Sequence, residues 1–99
     1  MSFHEITIRV LDGAVQPYLS PELFVGDTVR YSSPDGATRV LFPDASPYAV
    51  SEIRDTETNT LIKSGRFQFR CFVTPTGTTK EIGWDPAHPE AGGEHVVKV

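Results

Sequence analysis

With 99 residues, 13 acidic and 9 basic side chains and a formal net charge of -4, the chain is sized for a single domain, residues 1–99, with apolar material for one core. Its basic residues stand singly and form no basic stripe, which excludes a general nucleic-acid binder. No apolar run is long enough to cross a bilayer. One cysteine, Cys71, excludes an internal disulfide, so the fold does not depend on an oxidising compartment. The start, Met-Ser-Phe-His-Glu, has neither a basic nor an apolar leader region. The expectation is a cytoplasmic protein, unless a leader has been removed.

In chain order, Phe3 to Val10 opens as a half-buried strand, with Ile6, Ile8 and Val10 alternating with Thr7 and Arg9. Asp12-Gly13 ends it with turn chemistry. Gln16 to Pro21 holds two prolines and reads as an irregular crossing. Leu23 to Val25 is a short strand stopped by Gly26-Asp27, and Thr28 to Ser32 is the next, with Val29 and Tyr31 on one face. Ser33-Pro34-Asp35-Gly36 is a turn, and Thr38 to Phe42 follows as a strand. Pro43 to Pro47 breaks the pattern, Tyr48 to Ile53 fits a short strand or a helical turn, and Asp55 to Thr60 is polar and turn-like.

Gly65 to Val73 carries the cleanest period-two signal. Phe67, Phe69, Cys71 and Val73 fall on one side of an extended strand, with Gln68 and Arg70 on the other. From Thr74 to Gly93 the chain is loop-like, with Ile82 and Trp84 as anchors. His95 to Val99 closes it, with Val97 and Val99 on one face. No window has a helical period. Short strands bounded by turns predict an antiparallel sandwich.

Four of these stretches, Val25 to Tyr31, Thr38 to Phe42, Gly65 to Cys71 and Gly93 to Val99, resemble in order the strands of the cupredoxins, the blue-copper sandwich family. The resemblance implies an all-β, antiparallel Greek-key β-sandwich. In that family copper is held by two imidazoles, a thiolate and a weak axial ligand. Carried over position by position, the thiolate falls on Cys71. The first imidazole falls near Thr38, the second near Thr74 or Pro75, and the axial thioether near Thr79; the only methionine is Met1. A hydroxyl is a poor copper ligand beside an imidazole. The resemblance therefore implies the scaffold with a degenerate metal site: no copper, no other cofactor and no metal-ligating residue.

The three histidines, His4, His88 and His95, leave one alternative: a copper-binding or redox protein using Cys71 with His88 and His95. The spacing matches neither a blue-copper loop nor a zinc pattern. Without a metal, His88 reads as a solvated loop residue and His95 as a strand-edge residue. Cys71, between Phe69 and Val73, reads as a core thiol; Arg66 and Arg70 face the other way and cannot activate it.

No other catalytic pattern stands out. The acids Glu52 and Asp55, or Asp85 and Glu90, lack a supporting pattern, and no G-x-S-x-G elbow, P-loop or H-E-x-x-H helix occurs. The expectation is a small, soluble, non-catalytic interaction module for a protein or small-molecule partner. Phe42, Tyr48, Trp84 and His88, on the segments Phe42 to Tyr48 and Ile82 to Pro89, are its candidate interaction rim. Trp84 has a second reading, as a plug over the end of the sandwich.

Overall fold

The structure, a computed structural model, describes residues 1–16 and 20–99. The irregular crossing expected over residues 16–21 falls largely on residues 17–19, outside the described residues. Strand β9 (Gly65–Pro75) is the spine of the fold. Phe67, Phe69, Cys71 and Val73 are buried, while Arg66 and Gln68 are exposed. The period-two pattern is therefore a true inside–outside division, and each buried phenylalanine ring contributes roughly 1.5–3 kcal/mol of apolar burial.

β11 (Gly92–Lys98) runs antiparallel beside β9 on one side, and β6 (Gly36–Leu41) does so on the other. β4 (Leu23–Phe24) extends the sheet beyond β11, and β7 (Glu52–Arg54) extends it beyond β6; β10 (Ile82–Gly83) pairs β9 next to the end of β11. The second layer is a three-stranded sheet in the order β1 (Phe3–Thr7), β5 (Thr28–Ser32), β8 (Thr58–Thr60). A hairpin of β2 (Val10–Leu11) and β3 (Ala14–Val15) completes the strands. Asp12 and Gly13 turn it at φ 52° and 76°, the left-handed pair a two-residue hairpin favours.

The core lies between the two sheets. Ile6, Val29 and Tyr31 come from the smaller sheet; Leu23, Val40, Ile53, Phe69, Cys71 and Val97 come from the larger. This is an all-β sandwich, as the resemblance implies, with the cysteine strand at the centre of the larger sheet. Most pairings are antiparallel. Two are parallel, β1 with β5 and β4 with β11, so each layer is a mixed sheet.

Several segments differ from the sequence reading: the opening strand breaks after Thr7 and resumes as β2, and β10 lies within the stretch read as loop. Tyr48 to Ser51 is a run of bends that delivers the chain to β7, neither strand nor helix. Within the polar stretch after Asp55, Thr58–Thr60 is a strand on the edge of the smaller sheet. Its three polar residues carry no apolar alternation because only Asn59 is half-buried there. Elsewhere a close approach dictates the residue. Gly83 has φ 153°, and a Cβ on it would collide with the carbonyl oxygen of Cys71 and come within 2.7 Å of the Phe72 Cα, so only glycine lets β10 dock on β9.

Candidate functional site

The resemblance puts a metal at the end of β9 that carries Cys71. Thr38 lies opposite Val73 and is buried. Its Oγ1 donates to Asp55 Oδ1 at 3.1 Å, and to the Tyr31 carbonyl at 3.4 Å across the sandwich. Thr74 and Pro75 close β9 against Ala37 and Gly36, and Thr79 is exposed. The Cys71 thiol is buried, and burial pushes its pKa up to about 12, so it is held as a neutral thiol rather than a thiolate ligand.

The Cys71/His88/His95 cluster is not assembled. His95 pairs with Phe67, four residues from Cys71 along β9, a separation of about 13 Å at strand rise. His88 is exposed, with Nδ1 3.3 Å from Glu90. Among the described residues, no three His, Cys, Asp or Glu side chains are placed to share a metal ion. Blue-copper chemistry does not fit these donors.

His95 is also not a strand-edge residue. β11 lies between β4 and β9, and the alternation that turns Val97 inward turns His95 inward too, to 0% exposure. Its Nε2 is 2.9 Å from the Tyr31 hydroxyl and its Nδ1 is 2.7 Å from Ser20 Oγ. Tyr31 in turn is 2.8 Å from the Tyr48 hydroxyl. The imidazole stacks on Phe69, with ring centroids 4.4 Å apart. One proton arrangement gives every donor a named acceptor: Tyr48 donates to Tyr31, Tyr31 to Nε2, Nδ1–H to Ser20, and Ser20 to the Pro21 carbonyl at 3.3 Å. Burial pulls the His95 pKa down to about 4, and burial raises that of Tyr48 as well. This neutral chain of hydrogen bonds ties β11 to β5 and to the bends after β6.

The interaction-rim residues occupy two different settings. Phe42 and Tyr48 are buried at 1% and 2% exposure, with their rings edge to face at 5.6 Å. Tyr48 turns inward because its hydroxyl completes the chain to Tyr31, while the Ser46 hydroxyl accepts its backbone N–H at 3.1 Å. His88 and Trp84 reach the surface, His88 exposed and Trp84 half-buried.

Trp84 lies half-buried at the outer face of the larger sheet, packed against the buried cluster. The Arg70 guanidinium carbon sits 3.7 Å from the indole centroid, and a Cβ on Gly92 would come within 3.0 Å of the indole Cδ1. Arg70 and Gly92 are direct cross-strand partners, so the bare glycine makes room for the ring that the arginine covers. Beside this pair is a cleft of about 320 Å³ walled by Pro43, Gln68, Arg70, Trp84 and Glu94, with Gly92 and Gly93 also on its lining. The signals for this site were the outward parity of Arg70 and the double glycine opposite it; neither fixes where a distant tryptophan lands.

No protein-family model matches the chain, and no curated protein matches it. Among solved structures it is similar to amicyanins. One is a Cu(I) form of a single-site variant, with 21% identity, 94% of this chain and 81% of that chain covered, and a TM-score of 0.48. Another is a reduced variant, also 21% identical over 94% and 81%, at 0.47. A third is an oxidised variant, 20% identical over 94% and 81%, at 0.44. The copper named for those proteins is theirs.

Proposed function

We propose that the chain is a non-catalytic binding module whose working surface is the cleft beside Trp84. The observation that carries this reading is the Arg70–Trp84 stack over the bare backbone of Gly92. A large aromatic ring and an arginine, half-buried on a rigid sheet, are the residue types that anchor protein contacts. The absence of catalysis is supported by the employment of the reactive groups. The His95 ring nitrogens are both hydrogen bonded inside the core, and the Cys71 thiol is sealed there. Several outer-face carboxylates, Glu52, Glu81 and Glu94, are already paired with arginines.

The test is heteronuclear NMR with a panel of neutral amide and aromatic fragments at millimolar concentration. The expected result is a set of shifts concentrated at the Gly92 and Gly93 amides and the Trp84 indole N–H. Shifts gathered instead around Lys80 and His88, or nowhere, would refute the assignment of the surface.

A further inference from the structure

The outer face of the larger sheet carries two arginines in the same aromatic setting with opposite charge balance. Arg39 lies 4.1 Å from the Phe72 centroid and donates to both oxygens of Glu81, at 2.9 and 2.7 Å, with Glu52 at 3.7 Å. Its charge is met twice over within the chain. Arg70 lies 3.7 Å from the Trp84 centroid, yet no ion pair or side-chain hydrogen bond engages its guanidinium among the described residues. The carboxylate on the wall of the same cleft, Glu94, is taken by Arg66 at 3.0 Å. The cleft thus contains an available cation and an anion that is already occupied.

A guanidinium lying flat on an indole leaves its N–H edge for hydrogen bonding, and that planar fork matches the two oxygens of a carboxylate. The stacking also holds the side chain in place before a ligand arrives, which lowers the ordering cost of binding. We propose that Arg70 captures an acidic side chain on an extended segment of a partner protein, with the flanking residues seated between Pro43 and Trp84. This rests on the reading of the cleft as the binding surface.

The shape argues for a polypeptide rather than a free acid. Sites for small molecules enclose most of the ligand surface, whereas this cleft of about 320 Å³ lies on the outer face of a sheet. An extended segment needs only one or two side chains to enter, and its own backbone can run along the surface. Charge chemistry selects the residue: an incoming carboxylate meets Arg70 without displacing an internal partner, whereas a lysine or arginine would have to compete with Arg66 for Glu94.

The experiment compares three probes by NMR and Trp84 fluorescence: the blocked peptide acetyl-Pro-Glu-Pro-amide, the same peptide with Gln in place of Glu, and succinate. The Glu peptide is expected to shift the Gly92 and Gly93 amides, and to bind about tenfold more tightly than the Gln peptide, in line with a hydrogen-bonded charge pair. Added salt should narrow that gap. Arg70→Gln should bring the Glu peptide down to the level of the Gln peptide, and Arg70→Lys should fall between, since it keeps the charge and loses the fork. Circular dichroism checks that each variant is folded. Equal binding of the two peptides at Gly92 and Gly93 overturns the role of Arg70 and leaves the cleft standing. Silence at those amides with both peptides overturns the cleft as well. Saturation by succinate with no response to the Glu peptide overturns the peptide partner and makes this a small-acid site.

Discussion

Acidifying the solution puts a proton on His95, and the structure fixes what that proton costs. The imidazole is enclosed by Phe69, Phe42, Tyr31 and Ser20, and the neutral hydroxyls of Tyr31 and Ser20 meet its two ring nitrogens. Burial moves its pKa from 6.5 to about 4. Between those values the unfolded chain binds a proton that the native state does not, so stability rises with pH across that window. The contribution is whole above the unfolded value, declines as pH falls, and is lost below the folded value. The interval corresponds to about 3 kcal/mol, a large share of a small domain's stability. The assay is urea unfolding followed by circular dichroism, stepped from neutral pH down to pH ~4, for the natural chain and for His95→Phe. Phenylalanine keeps the stack on Phe69 and cannot titrate. At neutral pH the variant should be weaker by about 1–3 kcal/mol, from the broken hydrogen bonds to Tyr31 and Ser20. The difference between the two proteins should then shift by about 3 kcal/mol in the variant's favour at the acid end. A difference that stays constant with pH would refute the placement of a neutral imidazole in the core.

Three further outcomes follow from the same packing. Because Cys71 is buried with its pKa pushed up to about 12, a thiol reagent at mildly alkaline pH should label the native protein only as fast as it unfolds; rapid labelling would contradict the sealed thiol. Phe69→Ala should cost about 3–5 kcal/mol, since its ring lies between His95 and the backbone of Gly93; a loss below about 1 kcal/mol would remove it from the core. Asp27 accepts from His4 Nε2 at 2.9 Å, from the Ser2 N–H at 2.8 Å and from the Phe24 N–H at 3.1 Å. These bonds, the His4 one foremost, hold its carboxyl below 3.8. Its contribution is present above that ordinary value and is lost as pH falls through the lower folded value, so Asp27→Asn should flatten the acid limb of the stability curve. An unchanged limb would contradict it.

The fold was legible in the sequence where one face of a strand is buried and the other is wet. β9, β5 and the first strand all carry that alternation, and the sandwich follows from it. β8 was hidden because an edge strand of Thr, Asn and Thr buries too little to show a period. His95 was misplaced for a subtler reason. Its spacing from Val97 already marked the inward face, but an imidazole suits the interior only when hydroxyls meet both ring nitrogens, and those come from Ser20 and Tyr31, 75 and 64 residues away. Tyr48 and Phe42 read as rim residues because aromatic side chains bordering a loop on a rigid scaffold are favoured anchors; the loop instead folds inward to deliver the Tyr48 hydroxyl to Tyr31. The Arg70–Trp84 stack lies beyond any local pattern, since the pairing of β10 with β9 is what brings the two distant residues together.

Arg70 is the residue on which the functional reading turns, and Arg70→Gln measured for stability and for binding on one sample tests it most directly. A stacked arginine on the outer face is worth about 1 kcal/mol or less to the fold. Unfolding stability should fall by no more than that, alongside loss of about nine-tenths of the affinity for the Glu peptide. A variant that loses several kcal/mol of stability and keeps its affinity would make Arg70 a structural clamp rather than a binding residue.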